Sequence, residues 1–151
     1  MALIQSDWAK GLLPVARPHS AWAVHAQLFI VNVPAAGFAA NDILELAVLP
    51  PYARIVGAKL VTSGVDDEAT VDVGLMSGTT GELLNDDDTA RTCGTELFAA
   101  ADITEEVTFI STAASLLIKP TENDRSIGVK FSAAVAAGAD KQLGLLLHFA
   151  Q

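Results

Sequence analysis

The chain has 151 residues, 51% hydrophobic and 18% charged, with 18 acidic against 9 basic side chains and a net charge of −9. Hydrophobicity at this level excludes a disordered chain, the length suits one domain, and the acidic balance excludes a protein that grips nucleic acid through a basic face. Charged residues fall short of the roughly 25% of an ordinary globular domain, so the chain either spans a membrane or hides more surface than a monomer can hide.

The first 22 residues hold both tryptophans, Trp8 and Trp22, with Pro14 and Pro18 and no clear alternation. Asp7, Lys10 and Arg17 leave residues 1–25 at +1 and the remainder at −10. A frayed terminus is the default for a domain end, but it has no use for two Trp and Leu12-Leu13, and Trp is prominent among interface anchors. The segment reads as an extended N-terminal arm, residues 1–22, that packs on a neighbouring subunit or partner. A β domain at 23–151 follows it.

From there the chain reads as strand after strand. Residues 25–33 are β-rich; 43–49 follow, closed by Pro50-Pro51, and then 54–62. Residues 70–75 alternate, with Val71, Val73 and Leu75 on one face. Short runs at 96–98, 107–110 and 116–118 come next. Residues 125–132 alternate most regularly, with Ile127, Val129 and Phe131 inward and Gly128, Lys130 and Ser132 outward. Residues 142–149 close the chain. Period-2 alternation marks antiparallel sheets. About eight strands, separated by turn signals such as Ser63-Gly64 and Ser77-Gly78, predict an all-β fold, a single antiparallel β-sandwich or jelly roll. Segments 78–95 and 99–106 read as loops, and the acids Asp102, Glu105 and Glu106 suit the first turn of a short helix.

The acids cluster at turns, as in Asp66-Asp67-Glu68 and Asp86-Asp87-Asp88, while Val31 to Val33, Leu46 to Leu49 and Leu145 to Leu147 are apolar on both faces. A sandwich core buries one face of each sheet. The other face of these strands must meet something else, and a large apolar patch usually marks an association site. A homo-oligomer is expected. The membrane alternative rests on the uncharged run 18–41, long enough for the about 20 residues of a spanning helix. His19, Ser20, His25, Gln27 and Asn32 interrupt it, and Pro34 to Gly37 breaks it, so it reads as a strand and a turn. Leu12-Leu13 is cut off by Pro14 and Arg17, which leaves no signal-peptide core. The single Cys93 permits no internal disulfide, and synthesis in a reducing cytoplasm is expected.

Reactive chemistry is sparse. His19, His25 and His148 form no local metal motif, and His25 with His148, on the first and last strands, is too few for a cupin-like centre. Cys93 lies in a loop without basic or helical context to activate its thiol. Ser77 stands in a G-x-x-S-G spacing, not the nucleophile elbow. Gly78-Thr79-Thr80-Gly81 lacks the lysine of a phosphate loop. Asn85 to Asp88 offers hard oxygens of the kind Ca²⁺ prefers but no EF-hand spacing, and reads as a solvated turn. Glu45 and Asp72 are the strand-borne acids that a glycosidase pair would need. No enzyme activity, cofactor or metal is expected.

At residues 42–78 an apolar strand runs into a Leu49-Pro50-Pro51-Tyr52-Ala53-Arg54-Ile55 turn and a second strand, and the run 69–78 follows. This pattern resembles small structural proteins of tailed bacteriophages, in particular capsid decoration (cement) proteins of β-sandwich or jelly-roll type. The likeness spans roughly 25–131 and leaves out the arm. It implies a virion protein, made in the host cytoplasm, that seats on the capsid exterior as a homotrimer at local threefold positions and bridges units of the major capsid protein. Candidate capsid or subunit contacts are Trp8, Leu12, Leu13 and Trp22 as apolar anchors, with Lys10 and Arg17 pairing to acids. On this reading, deletion of residues 1–22 leaves a folded body that no longer binds capsids. The alternative is a tail or fibre component, or a carbohydrate-binding sandwich. Sugar sites on such folds present exposed aromatics, whereas Phe29, Phe109, Phe131 and Phe149 read as core.

Overall fold

A computed structural model describes residues 1–17, 23–65, 68–104, 107–109 and 113–150, with no account of the side chains of 107–109. Nine strands lie in these residues: β1 (Leu3–Gln5), β2 (Val24–Asn32), β3 (Ile43–Leu49), β4 (Arg54–Ser63), β5 (Thr70–Leu75), β6 (Phe98–Asp102), β7 (Val107–Phe109), β8 (Arg125–Phe131) and β9 (Gln142–Ala150). They form a β-sandwich. One sheet has the order β1-β3-β8-β5-β6 and the other β2-β9-β4-β7. Every pairing is antiparallel except β1 with β3. No described helix is long and apolar enough to cross a membrane.

Alternation explains the core. Leu143, Leu145, Leu147 and Phe149 of β9 meet Leu44, Leu46 and Leu49 of β3 and Ile127, Val129 and Phe131 of β8 in one cluster with Phe29. All are buried, and a side chain of this size contributes about 1.5–3 kcal/mol when fully buried. The inward set expected of β8 is the one observed. Phe38 and Phe131 stack with ring centroids 4.3 Å apart and close the end of the sandwich near the start of β3.

Three local expectations differ from the structure. The run 96–98 was expected to be a short strand followed by a loop, but the strand is Phe98–Asp102. An alanine run carries no β signal. It is held here by a bulge against β5, where Ala100 takes φ 47° and its N–H donates to Asp72 Oδ1 at 2.9 Å. Of the possible helix at 102–106, Asp102 ends this strand and its carboxylate accepts from the N–H and hydroxyl of Thr104; residues 105–106 lie outside the described residues. Finally, the apolar run at 116–118 is no strand. Residues Ala113–Leu117 form a 3-10 helix that buries Ser115 and leaves Leu116 and Leu117 exposed.

The outer faces of the two sheets differ. β3 is buried along its whole length, because the 76–97 connection and the N-terminal segment of the same chain lie over its outer side. In β9 the outward positions Leu146, His148 and Ala150 are only half-buried. Burial of both faces was expected for Leu46 to Leu49 and for Leu145 to Leu147 alike. The first run achieves it within the chain, and the second leaves Leu146 to the surface.

Candidate functional site

The segment expected to be an arm begins as a strand. Leu3–Gln5 adds in parallel to the edge of β3. Ala2 N donates to Asp42 Oδ1 at 2.7 Å and Ser6 N to the Glu45 carbonyl at 2.8 Å. Ser6 Oγ, buried, donates to the Leu46 carbonyl at 2.6 Å, a group left free by the register shift between Glu45 and Ala47. The chain then turns over Trp8, whose ring meets Phe29 edge-on at 5.3 Å. Past the turn, Ala16 N donates to Gln27 Oε1 and Gln27 Nε2 donates to the Pro14 carbonyl. The segment therefore fills the seam between the β3 edge of one sheet and the β2 edge of the other.

The candidate contact residues divide accordingly. Trp8 is half-buried and engaged by the fold itself. Lys10, Leu12 and Leu13 are exposed on the turn. Arg17 is exposed and pairs with Asp124 at 3.1 Å. Trp22 lies outside the described residues. Because residues 2–9 cover core side chains, removing 1–22 is expected to destabilise the sandwich, not merely to strip a docking arm.

The most elaborate polar construction is one that motif reading missed. Glu45 projects from β3 to the outer side of the five-stranded sheet, where the 76–97 connection covers it. Its carboxylate accepts from Arg91 Nη1 (2.9 Å), Gly81 N (3.1 Å), Gln5 Nε2 (2.7 Å) and the Ser126 hydroxyl. Arg91 donates further, from Nε to the Ser77 carbonyl (2.6 Å), from Nη1 to the Glu82 carbonyl (2.7 Å) and from Nη2 to Ser126 Oγ (3.1 Å). Both charged side chains are fully buried. A buried charge persists only when paired and hydrogen-bonded like this. The arrangement offers no open coordination or substrate position, and acts as a clamp that fastens the loop to the sheet. The loop approaches closely because Gly74 and Gly128 lack side chains: a Cβ at Gly74 would overlap the backbone of Gly94, and one at Gly128 would lie 2.8 Å from Met76 Sδ. The signal available in sequence was a lone acid, Glu45, within an apolar strand.

The remaining candidates resolve into structural roles. His25 pairs with Phe149 in register and stacks on its ring, while His148, one position along, pairs with Ala26. Neighbouring registers put the two imidazoles on opposite faces of the sheet, so they do not converge. Burial pushes the Cys93 thiol up from its ordinary value near 9.0 to about 12, with the charges of Glu96 and Asp72 adding to the rise; it is a poor nucleophile. The Asp86 to Asp88 loop is a tight hairpin in which Asn85 N donates to the Thr89 carbonyl at 2.9 Å. The Asp87 carboxylate accepts from the Thr89 hydroxyl and N–H, which hold its pKa below the usual carboxylate range. Among the described residues no three His, Cys, Asp or Glu side chains gather as a metal site.

What the surface offers, then, is contact area: the turn at 10–13, the loop leucines Leu83 and Leu84, the 3-10 leucines Leu116 and Leu117, and the outer face of the four-stranded sheet. No family model and no curated protein matches the chain. Among solved structures, a chain in the capsid of Ralstonia phage GP4 is 40% identical, with 99% of this chain and 98% of that one covered and a TM-score of 0.87. The chain belongs to a family of bacteriophage capsid proteins. A chain of the cyanophage Pam1 capsid asymmetric unit shares the fold at 18% identity, with a TM-score of 0.59 over 93% of this chain and 94% of that one. This capsid protein is a structural component of the virion, and the contact surfaces above are where its role has to be sought.

Proposed function

We propose that this capsid protein decorates the outer surface of a phage capsid as a homotrimer, seated on the major capsid protein and stiffening the shell. The observation that carries the reading is the full-length 40% identity to a chain of the Ralstonia phage GP4 capsid. The resemblance of residues 42–78 to decoration proteins supports the exterior position. So does the charge distribution, since an acidic body suits a surface remote from packaged DNA. Lys10, Leu12, Leu13 and Arg17, exposed on the N-terminal segment, are the candidate capsid contacts together with Trp22, and Trp8 holds the segment to the fold. The host cytoplasm is the proposed site of synthesis.

The test is to add purified protein to capsids assembled without it, then sediment them and image them by cryo-electron microscopy. Threefold-arranged density on the outside supports the reading. Protein that stays in the supernatant, or density confined to the interior or the tail, contradicts it.

A further inference from the structure

Strand direction sorts the charges toward opposite ends of the sandwich. Ala150 is in register with both Val24 and Arg54, and Leu49 with Arg125. The turn at 50–53 joins Leu49 to Arg54, so β2, β4 and β8 start, and β3 and β9 finish, at one end. Tyr52 N donates to the Thr121 carbonyl at 2.8 Å, which brings segment 119–125 alongside that turn. This end carries Arg17, Arg54, Lys119 and Arg125, four of the chain's nine cations. Its acids are Glu122, exposed, and Asp124, paired with Arg17. Arg54, Lys119 and Arg125 take part in no ion pair among the described residues. At the opposite end β4, β6 and β8 finish and β5, β7 and β9 start. Glu68, Asp102 and Asp140 are exposed there beside Lys141, and the connections between these strands add Asp66, Asp67, Glu105 and Glu106 in sequence. Tyr52, the single tyrosine, stands among the cations, 56% exposed and with φ 60°. Gly or Asn adopts that backbone at less cost, and a bulky residue held in it is an outlier of the kind that collects at functional sites.

We infer that this cationic end, with Tyr52 among Arg54, Lys119 and Arg125, is the surface that docks on an acidic patch of a different protein in the capsid. The inference deepens the seating part of the proposed function and rests on it. Complementary charge selects a partner and fixes its register, and Tyr and Arg are the residues that most often anchor an interface. In a chain of net charge −9, a cluster of unpaired cations is the surface on which an acidic partner meets least repulsion. Copies of this chain fit it poorly. Like ends repel, and a cationic end set on the acidic end of the next copy is a head-to-tail contact that repeats along the strand axis without closing. Nucleic acid fits it poorly as well, because a phosphate backbone calls for an uninterrupted basic surface and Glu122 and Asp124 lie among these cations. A protein surface, with separate carboxylates and donors between them, matches both signs.

The first test treats intact virions with a zero-length carbodiimide, which couples lysine amines to carboxylates in contact, and reads the linked peptides by mass spectrometry. The expected result is links from Lys119 to Asp or Glu of a different capsid protein, about fivefold or more above those from Lys141 at the acidic end. No such link from Lys119, or links from Lys119 to Glu68 or Asp140 of a second copy, overturns the inference. The second test measures the affinity of the full-length protein for shells assembled without it. Arg54→Gln/Lys119→Gln/Arg125→Gln should bind about tenfold or more weaker than the wild type, with a melting temperature within a few degrees of it. Tyr52→Gly, which suits the backbone of the turn, should weaken binding about threefold or more. Glu68→Gln/Asp140→Gln should stay within about twofold, and wild-type binding should weaken as salt is raised. A triple variant that binds like the wild type, an equal loss in the acidic-end variant, or wild-type protein that binds duplex DNA as tightly as shells overturns the inference. Wild-type protein that fails to bind shells, while Lys119 is linked to another protein in virions, overturns the decoration reading and leaves this contact standing.

Discussion

The two outer sheet faces solve the same problem in opposite ways. Over the five-stranded sheet the chain folds its own 76–97 connection. A covered sheet face must satisfy every polar group it buries, so this one holds the Glu45–Arg91 pair with its ring of donors and the glycines that let backbone approach backbone. Over the four-stranded sheet the described residues provide no such layer, and the strands carry aliphatic side chains and no acid. The apolar excess of the composition is thus two excesses. One is spent inside the fold and says nothing about assembly. The other remains on the surface and is the part that bears on association.

Breaking the clamp should have the largest effect. Arg91→Met leaves Glu45 buried without its cation, and removing one partner of a buried pair costs about 3–5 kcal/mol; urea unfolding should show this loss, with part of it recovered in Glu45→Gln/Arg91→Met. Trp8→Ala, in the seam between the sheets, should cost about 2–3 kcal/mol, somewhat less than a fully buried Trp, and chemical denaturation reports it directly. Gly74→Ala forces the covering loop away from β5 and should cost about 1–3 kcal/mol, read as a lower unfolding midpoint and faster amide exchange at Gly94. The Cys93 thiol sharpens the comparison through pH. The folded chain keeps its proton up to about 12 while the unfolded chain releases it near 9.0, so the associated stability is intact below pH 9 and declines as pH rises toward 12. Wild-type protein should lose more stability than Cys93→Ala between pH 8 and pH 10.5, and equal losses would contradict the burial of this thiol. Arg17→Ala should matter least: its pair with Asp124 is solvent-exposed, and such pairs contribute at most about 1 kcal/mol, a shift in melting temperature near the limit of measurement.

The main strands were legible because their residues report on local alternation. Ile127, Val129 and Phe131 read inward from spacing alone, and they are buried. The alanine strand at 98–102 and the parallel strand at 3–5 were not, because their conformation is imposed from outside, by Asp72 on the first and by the edge of β3 on the second. The clamp was hidden for a related reason. Glu45 and Arg91 are 46 positions apart, and nothing local to Arg91 distinguishes it from a solvated loop arginine. The exposed Leu116 and Leu117 mislead in the other direction, since apolar composition alone does not make a strand.

The claim that joins these observations is that the chain covers one sheet face itself and keeps its remaining apolar side chains on the surface for contacts within the capsid. Cryo-electron microscopy of decorated capsids tests it most directly, at a resolution that places side chains. The prediction is that the 76–97 connection packs on its own five-stranded sheet and that exposed apolar side chains such as Leu12, Leu13 and Leu28 touch other capsid chains. Density showing Leu12, Leu13 and Leu28 all in open solvent, or the 76–97 connection lifted off its sheet, would contradict it.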